Sequence, residues 1–266
     1  MILVTGAGGF VGGKIMQMRA DAIACPSLRG LGEEEIKRII DSNRVDAVIH
    51  TAAISDVGAC QRDPDASYAA NVMLPVHLAN AVKNKSIKLV CFSSDQVYTG
   101  AKEVGPYTED MACPANVYAE HKLEMEQRVL DILPDAVLLR AEWMYDYYLK
   151  KPNYFMNILN AGDKVRFSSG GYRGLTYVKE VAQNMDGVMR LPGGVYNFGS
   201  ETTKSMYEIT RAFLDALGHD TVLEDVPAGH NLWIDCAKAR QYGVDFSSVE
   251  DGLLACAEDY GYLAKD

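Results

Sequence analysis

Thr5-Gly6-Ala7-Gly8-Gly9-Phe10-Val11-Gly12-Gly13 follows directly on the apolar run Ile2-Leu3-Val4. A buried strand, a glycine-rich turn and a helix form the unit that cradles the pyrophosphate of a dinucleotide. Gly6 would allow the tight turn, Gly9 would let backbone N–H groups approach the phosphates, and Gly12 would let helix and strand pack closely. The positive end of the helix dipole would face the anion. A glycine turn without a ligand is the alternative, but the strand before it and the helix after it favour a binding site.

Strand and helix patterns alternate over the first 140 residues. This alternation predicts an α/β fold with a doubly wound parallel sheet, the NAD(P)-binding Rossmann fold, and a smaller C-terminal substrate lobe. We predict a dinucleotide-binding domain over residues 1–145, with residues 165–200 returning to it. The substrate-binding lobe would comprise residues 146–164 and 200–266.

Composition excludes several classes of partner. The chain has 266 residues and a net charge of −10, and it carries no basic tract, so we predict no nucleic-acid partner. No apolar run approaches the length of a membrane helix, and a strand pattern begins at Ile2, so we expect a cytoplasmic protein without a signal peptide. The cysteines and histidines show no metal-ligand spacing, and we predict reduced thiols and no metal site.

The end of the second predicted strand bears on the choice of cofactor. An acidic residue at this place would bind the ribose 2′-hydroxyl of NAD. The chain instead has Ser27 and Arg29, a hydroxyl and a cation that suit a 2′-phosphate. We therefore prefer NADP(H), with NAD(H) as the other possibility. Arg29 on a solvated loop without a ligand is the competing interpretation.

Small residues follow the third predicted strand. Ala52 and Ala53 come directly after Thr51 and would let a cofactor lie against the backbone. Asn71 lies on the next predicted helix. It would either bridge helix and sheet as a buried polar group or support the cofactor site, and the sequence does not choose between these roles.

Tyr118 and Lys122 are four residues apart in a predicted helix, so their side chains share one face. A fixed cation beside a tyrosine favours the phenolate and would lower its pKa, which makes Tyr118 a candidate general acid/base. A chance spacing on a solvent-facing helix is the alternative. Ser93 and Ser94 end another predicted strand, and ligands of such sheets bind beyond the carboxyl ends of the strands. Ser94 could therefore donate to a substrate carbonyl oxygen, although serine-rich loops are usually turns.

Taken together, these segments resemble the extended short-chain dehydrogenase/reductases, and among them the dTDP-4-dehydrorhamnose reductase family. That family has S-T-D-Y-V-F where this chain has Ser93 to Tyr98, and L-R-T-S-W-V-Y where it has Leu139 to Tyr145. The resemblance continues to Asn231-Leu232-Trp233-Ile234-Asp235-Cys236-Ala237-Lys238, which is similar to the family's N-x-x-L-D-x-x-K.

The resemblance implies roles for individual residues. Tyr118 would protonate a 4-keto oxygen, Lys122 would hold the nicotinamide ribose, and Ser94 would orient the carbonyl. The implied cofactor contacts are Gly6, Gly9, Phe10, Val11, Gly12, Ser27, Arg29, Ala52, Ala53, Asn71, Ser93, Tyr118 and Lys122. The implied contacts to a nucleotide-sugar substrate are Asp56, Val57, Trp143 and Arg173.

Alternatives within the same fold stay open. An NAD-dependent nucleotide-sugar epimerase fits the same residues, and so does a non-catalytic NADP-binding regulatory protein. Asp95-Gln96 argues against a dehydratase, because an amide cannot abstract a proton. Lys14 stands where some family members have a glutamate that supports a Mg²⁺-linked dimer, which argues against a dimer of that kind. We predict a monomer or a homodimer.

Overall fold

In the computed structural model, which describes residues 1–148, 152–227 and 231–264, the first apolar run forms strand β1 (Ile2–Thr5). The following strands are β2 (Ala22–Ala24), β3 (Ala47–His50), β4 (Lys88–Ser94), β5 (Val137–Ala141), β6 (Trp143–Tyr145), β7 (Lys164–Phe167), β8 (Leu175–Tyr177), β9 (Gly194–Phe198) and β10 (Val222–Asp225). The helices are α1 (Phe10–Met18), α2 (Glu33–Ser42), α3 (Val57–Arg62), α4 (Pro64–Tyr68), α5 (Leu74–Val82), α6 (Val117–Ile132), α7 (Tyr154–Leu159), α8 (Val178–Gln183), α9 (Met185–Arg190), α10 (Met206–Leu217), α11 (Ala237–Arg240) and α12 (Val249–Asp259). Parts of the predicted substrate lobe, residues 149–151, 228–230 and 265–266, lie outside the described residues.

The main sheet has the strand order β2-β1-β3-β4-β5-β9, and all of its pairs are parallel. The chain passes from β1 to β2 on one side and then crosses back to β3 on the other. The strand order therefore reverses between β1 and β3, and a crevice opens there beyond the carboxyl ends of the strands. The glycine turn and Thr51–Ala53 border this crevice. The predicted doubly wound parallel sheet is confirmed.

Apolar side chains cover both faces of the sheet, because alternate residues of each strand point to opposite sides. Val4 and Ile49 belong to a core on one face, together with Ile15 of α1 and residues of α8 and α9. Leu3 and Val48 belong to the opposite core, with residues of α2, α5 and α6. Burial on both faces explains why the strand sequences read as continuous apolar runs.

Two helical regions are divided. One consists of α4, a π-helical turn at Ala69–Met73, and α5 with Pro75 in its first turn. The other is split into α8 and α9 at Asn184. The side chain of Asn184 donates to the Asp245 carbonyl at 2.7 Å and accepts from the Asp245 N–H at 3.1 Å. Because Asn184 and Asp245 are 61 residues apart, no local sequence pattern predicts this break in the helix.

The remaining elements pack around a separate hydrophobic core. β6 pairs with β8 and β7 pairs with β10, and residues of α7, α10 and α12 complete this core. The last part of the chain contains β10, α11 and the closing helix α12. β9 belongs to the main sheet, and residues of α8 and α9 pack against that sheet. The division into a dinucleotide-binding domain and a substrate lobe stays a prediction. Over the described residues, no helix is both long and apolar enough to cross a bilayer.

Candidate active site

A cavity of ≈ 1590 Å³ lies at the carboxyl ends of the strands of the main sheet. One end is bordered by the loop after β2, the middle by the glycine turn and the residues after β3, and the other end by Trp143 and Arg173. Most of the predicted site residues line it. These are Gly6, Gly9, Phe10, Val11, Ser27, Arg29, Ala52, Ala53, Val57, Ser93, Ser94, Tyr118, Lys122, Trp143 and Arg173.

The glycine turn packs so closely against β3 that side chains do not fit. Gly6 has a φ of +68°, and a Cβ there would lie 2.8 Å from the backbone N of Ala52. A Cβ at Gly12 would lie 2.3 Å from the carbonyl oxygen of Gly6 and 2.7 Å from Thr51 Oγ1. Gly9 begins α1 without a side-chain cap, so no capping side chain occupies the first N–H groups of the helix, and Gly9, Phe10 and Val11 line the cavity. Gly12 itself is buried beneath the turn.

Ser94, Tyr118 and Lys122 come together in the wall of the cavity. Asn116 caps α6 by accepting from the Ala119 N–H at 2.9 Å, and this fixes the start of the helix that carries Tyr118. The hydroxyl of Ser94 lies beside that of Tyr118, where it favours the phenolate. Lys122 Nζ donates to the carbonyl oxygen of Phe92 at 2.8 Å and lies 5.8 Å from the centre of the Tyr118 ring.

Burial dominates the titration of this group. It raises the pKa of Tyr118, and the negative charge of Asp95 adds to the rise, whereas the hydroxyl of Ser94 opposes it. Our prediction of a lowered pKa for Tyr118 is wrong for this structure, because burial makes the phenolate costly to form. Tyr118 is therefore a neutral phenol at physiological pH. Burial also lowers the pKa of Lys122 to about 8.

A buried ion pair, Arg140 and Glu126, contacts Ser93 at the end of β4. Ser93 Oγ donates to Glu126, and Arg140 binds the same carboxylate with Nη2 at 2.7 Å from Oε2. Arg140 and Glu126 are 3% and 2% exposed at their side chains, so the ion pair is fully enclosed. β4 and β5 are paired so that Ser93 lies opposite Arg140. The pair therefore holds the strand end that carries the hydroxyl groups.

The far end of the cavity carries a cation. Arg173 Nη2 lies 2.9 Å from Asp95 Oδ2, and its guanidinium carbon lies 5.0 Å from the centre of the Trp143 ring. Ser94 Oγ donates to the other carboxylate oxygen of Asp95 at 3.1 Å. Asp95 thus connects the serine to the arginine, and the sequence alone did not indicate this connection.

The structure gives two predicted residues other contacts than those we expected. Among the described residues, neither Asn71 nor Asp56 lines the cavity. Asn71 bridges the π-helical turn to the loop after β3: its Oδ1 accepts from the Ile54 N–H at 3.1 Å and its Nδ2 donates to the Ile54 carbonyl at 2.9 Å. This matches the polar-bridge alternative. Asp56 caps α3 by accepting from the Ala59 N–H. Their direct contacts to ligands stay predictions.

The sequence did not identify every residue of the wall. Glu142 lies between β5 and β6 and is 4% exposed, and His77 of α5 also lines the cavity. Tyr148 lies over the glycine turn, with its ring 5.2 Å from that of Phe10. The family motif L-R-T-S-W-V-Y has serine where this chain has Glu142, so this difference could have drawn attention to the residue. His77 lies on α5, whose mostly apolar sequence indicates a buried helix rather than a binding site.

Lys14, which we discussed as a substitute for a metal-linking glutamate, forms a contact within the chain. Its Nζ lies 2.6 Å from Asp146 Oδ2 and 3.3 Å from the hydroxyl of Tyr260. The lysine therefore connects α1 to the residues after β6 and to the end of α12. Among the described residues, no group of three or more His, Cys, Asp or Glu side chains is arranged to hold a metal ion.

The fold and the wall of the cavity agree with the comparison to protein families. The model of the RmlD substrate-binding domain matches residues 1–232. The chain belongs to this family.

Members of the RmlD family and proteins of the same fold resemble the chain over most of its length. The dTDP-4-dehydrorhamnose reductase of Aggregatibacter actinomycetemcomitans is 27% identical over 244 residues, which cover 85% of this chain and 82% of the relative. The methionine adenosyltransferase 2 subunit beta of Xenopus laevis is 28% identical over 278 residues, covering 91% and 82%. A crystal structure of dTDP-4-dehydrorhamnose reductase from Bacillus anthracis in complex with NADP superposes with a TM-score of 0.83 at 19% identity, covering 97% and 98%. This last likeness concerns the fold.

Proposed function

We propose that this chain is an NADPH-dependent reductase of a 4-keto group on a nucleotide-linked sugar, with dTDP-4-dehydrorhamnose as the first substrate to test. The observation that carries the proposal is the meeting of Ser94, Tyr118 and Lys122 in a cavity wall between a glycine turn and a Trp–Arg pair. Relatives named dTDP-4-dehydrorhamnose reductase support the choice of substrate.

The residues around the glycine turn fit a dinucleotide. The turn leaves no room for side chains at Gly6 and Gly12, and the uncapped N-terminus of α1 offers N–H donors for a pyrophosphate. Ala52 and Ala53 leave the neighbouring backbone accessible. At the other end of this region, Ser27 and Arg29 are exposed and would hold a 2′-phosphate. NADPH would supply the hydride, and the protein would supply position and a proton.

Tyr118 would deliver that proton. Because burial keeps its phenol protonated, Tyr118 is in the form that a reductase needs at the start of the reaction. The hydroxyl of Ser94, which donates to Asp95 in this structure, would turn its proton to the keto oxygen when substrate binds and so hold that oxygen next to the phenol. As the proton leaves, negative charge would develop on the Tyr118 oxygen, and the ammonium of Lys122 would stabilise it.

Trp143, Val57 and Arg173 would receive the sugar nucleotide. Trp143 offers a flat apolar face, and the guanidinium over that face suits a substrate phosphate. Arg173 is 26% exposed at its side chain, so it is accessible from the cavity although it is bound to Asp95.

The test follows the absorbance of NADPH or NADH during incubation with a panel of nucleotide-linked 4-ketosugars. We expect oxidation of NADPH, faster than of NADH, with at least one ketosugar, and formation of the corresponding 4-hydroxy sugar. NADPH that binds but is not oxidised with any member of the panel would contradict the proposal.

A second candidate is a cofactor-binding regulatory subunit, because the Xenopus laevis methionine adenosyltransferase 2 subunit beta aligns with 91% of this chain. Binding of NADPH without turnover would favour it. An epimerase would instead keep NAD⁺ bound through purification and interconvert sugars without added cofactor. The predicted cytoplasmic location, and a monomer or homodimer as the assembly, stay predictions.

A further inference from the structure

Glu142 occupies a slot that the surrounding backbone provides. Its side chain leaves the cavity wall between β5 and β6 and is enclosed by Gly174 and Gly199. A Cβ at Gly174 would lie 1.9 Å from Glu142 Oε1, and a Cβ at Gly199 would lie 2.2 Å from Oε2. Any other residue at either position would displace the carboxyl group. Both glycines have ordinary negative φ angles or extended backbone, so space rather than backbone conformation demands them.

Inside the slot the carboxyl group holds the segment that bears Arg173. It accepts a hydrogen bond from the hydroxyl of Thr176 at 3.2 Å and lies beside the backbone N–H of Gly174, which favours the ionised carboxylate. Gly174 directly follows Arg173 in the chain. The position of Glu142 therefore determines where the arginine backbone lies relative to the cavity.

Arg173 in turn determines the position of Asp95. Its Nη2 lies 2.9 Å from Asp95 Oδ2, and Ser94 donates to Oδ1 of the same carboxylate at 3.1 Å. Ser94 lies beside the hydroxyl of Tyr118. A continuous set of contacts thus runs from Glu142 to the hydroxyl groups that we assign to proton transfer.

We propose that Glu142 is a positioning residue that acts as a neutral acid, holding Arg173 against Asp95 and thereby fixing the hydroxyl of the catalytic serine. This inference rests on the proposed function, because it assigns a role in that reaction.

Burial and the charge of Asp95 favour the neutral form of Glu142 and outweigh Thr176, Arg173 and Gly174, which favour the ionised form. The charged neighbours that face Glu142 are Asp95, from the turn after β4, and Arg173, from the segment before β8; Cys236, before α11, is a buried titratable neighbour. Two carboxylates beside one guanidinium would compete for it, whereas one carboxylate and one guanidinium form a balanced pair. Burial and the charge of Asp95 raise the pKa of Glu142 well above its usual range, and the pKa of Cys236 is also raised, so its thiol stays neutral.

The protonation of Glu142 can be measured without substrate. A carboxyl group with a raised pKa in the folded state stabilises the fold below its unfolded pKa, and this contribution is lost as the pH rises through the folded pKa. Glu142→Gln cannot ionise. Between about pH 5 and pH 8 the folding equilibrium constant of the wild type should therefore fall relative to that of the variant, by up to about tenfold per pH unit. Glu34→Gln, at an exposed carboxyl group of α2, is the matched control and should follow the wild type.

The positioning role is measured by kinetics. Glu142→Gln keeps the shape and the neutral state, so its kcat should stay near that of the wild type. Glu142→Ala removes the contacts to Gly174 and Thr176, and kcat should fall about 10-fold to 100-fold while the Kd for NADPH, measured by fluorescence, is unchanged. If Glu142→Ala does not fold, Glu142→Ser takes its place in the same kinetic measurement.

Each part of the proposal has its own contrary result. Parallel stability curves for the wild type and Glu142→Gln would overturn the neutral acid. A kcat loss in Glu142→Gln as large as in Glu142→Ala, or no loss in either truncated variant, would overturn the positioning role. Absence of turnover in the wild type with every ketosugar would count against the proposed function itself, and the stability measurement would still decide the state of Glu142.

Discussion

The two sides of the cavity are built by different means. On the side of the glycine turn, Gly6, Gly9, Ala52 and Ala53 line the cavity with little or no side chain, and Gly12 lets the turn pack closely beneath them. On the other side, buried charged residues such as Lys122, Arg140, Glu126 and Asp95 shape the wall. The first side depends on space, and the second depends on the balance of buried charges. Each of the following experiments disturbs one of these dependences.

The largest effect should come from Tyr118→Phe. The variant keeps the ring but loses the proton that we assign to the keto oxygen, so kcat should fall by about 10²–10⁴ while the Kd for NADPH changes little. Stopped-flow oxidation of NADPH measures the step, and Tyr242→Phe, at a residue that is 45% exposed, is the control. A variant with near-normal kcat would remove Tyr118 from the mechanism.

Arg140→Met tests the buried ion pair on the charged side of the cavity. The substitution leaves the buried Glu126 without its partner, and the free energy of unfolding should fall by about 3–5 kcal/mol. Arg128→Met on α6 is the matched control: Arg128 and Glu124 are 37% and 42% exposed at their side chains, and losing this pair should cost less than about 1 kcal/mol. Chemical denaturation compares the two variants. Equal losses would show that burial of the charges does not matter here.

Gly12→Ala tests the side that depends on space. The added methyl group would lie 2.3 Å from the Gly6 carbonyl oxygen, so the turn must shift. We expect a loss of about 1–3 kcal/mol in stability and weaker binding of NADPH. Gly13→Ala is the control, because its Cβ would meet Ala7 O at 3.6 Å, an ordinary contact. Fluorescence titration should show the loss of affinity in the first variant alone.

The pH dependence of turnover examines the cation beside Tyr118. Burial lowers the pKa of Lys122 to about 8, so the ammonium loses its proton as the pH rises above this value. The developing phenolate then loses its stabilising charge, and kcat should fall by up to about tenfold per pH unit. Lys122→Met should be slower throughout and lack this decline. An identical decline in both proteins would assign it to another group.

The smallest effect is expected from Arg29→Ala at the outer end of the glycine side. The residue is exposed, and losing one contact to a 2′-phosphate should reduce the preference for NADPH over NADH about tenfold, or about 1.4 kcal/mol. The ratio of kcat/KM for the two cofactors measures it. Comparable efficiency with both cofactors in the wild type, unchanged by the substitution, would dispose of the role of Arg29.

The strands of the main sheet, the turn after β1 and the order of the motifs could be predicted because each follows from a short pattern. A buried strand is an apolar run, and a glycine turn is recognised by its spacing. Tyr118 and Lys122 could be placed together because one helix carries both. Ser94 could be placed near them because strand ends of a parallel sheet meet at one edge.

The contacts of Asp56, Asn71 and Glu142 could not be predicted in the same way. Asp56 caps its own helix, and Asn71 binds the backbone of a residue 17 positions away. The Glu142 carboxyl group has space only because Gly174 and Gly199, from different parts of the chain, have no side chains. The pKa of Tyr118 depends on how completely the surrounding chain excludes water. Sequence alone determined which chemical groups the chain can bring to the cavity, because local patterns decide strand, turn and helix. Only the tertiary structure decided their charge states and partners, because desolvation and packing act between residues that are distant in sequence.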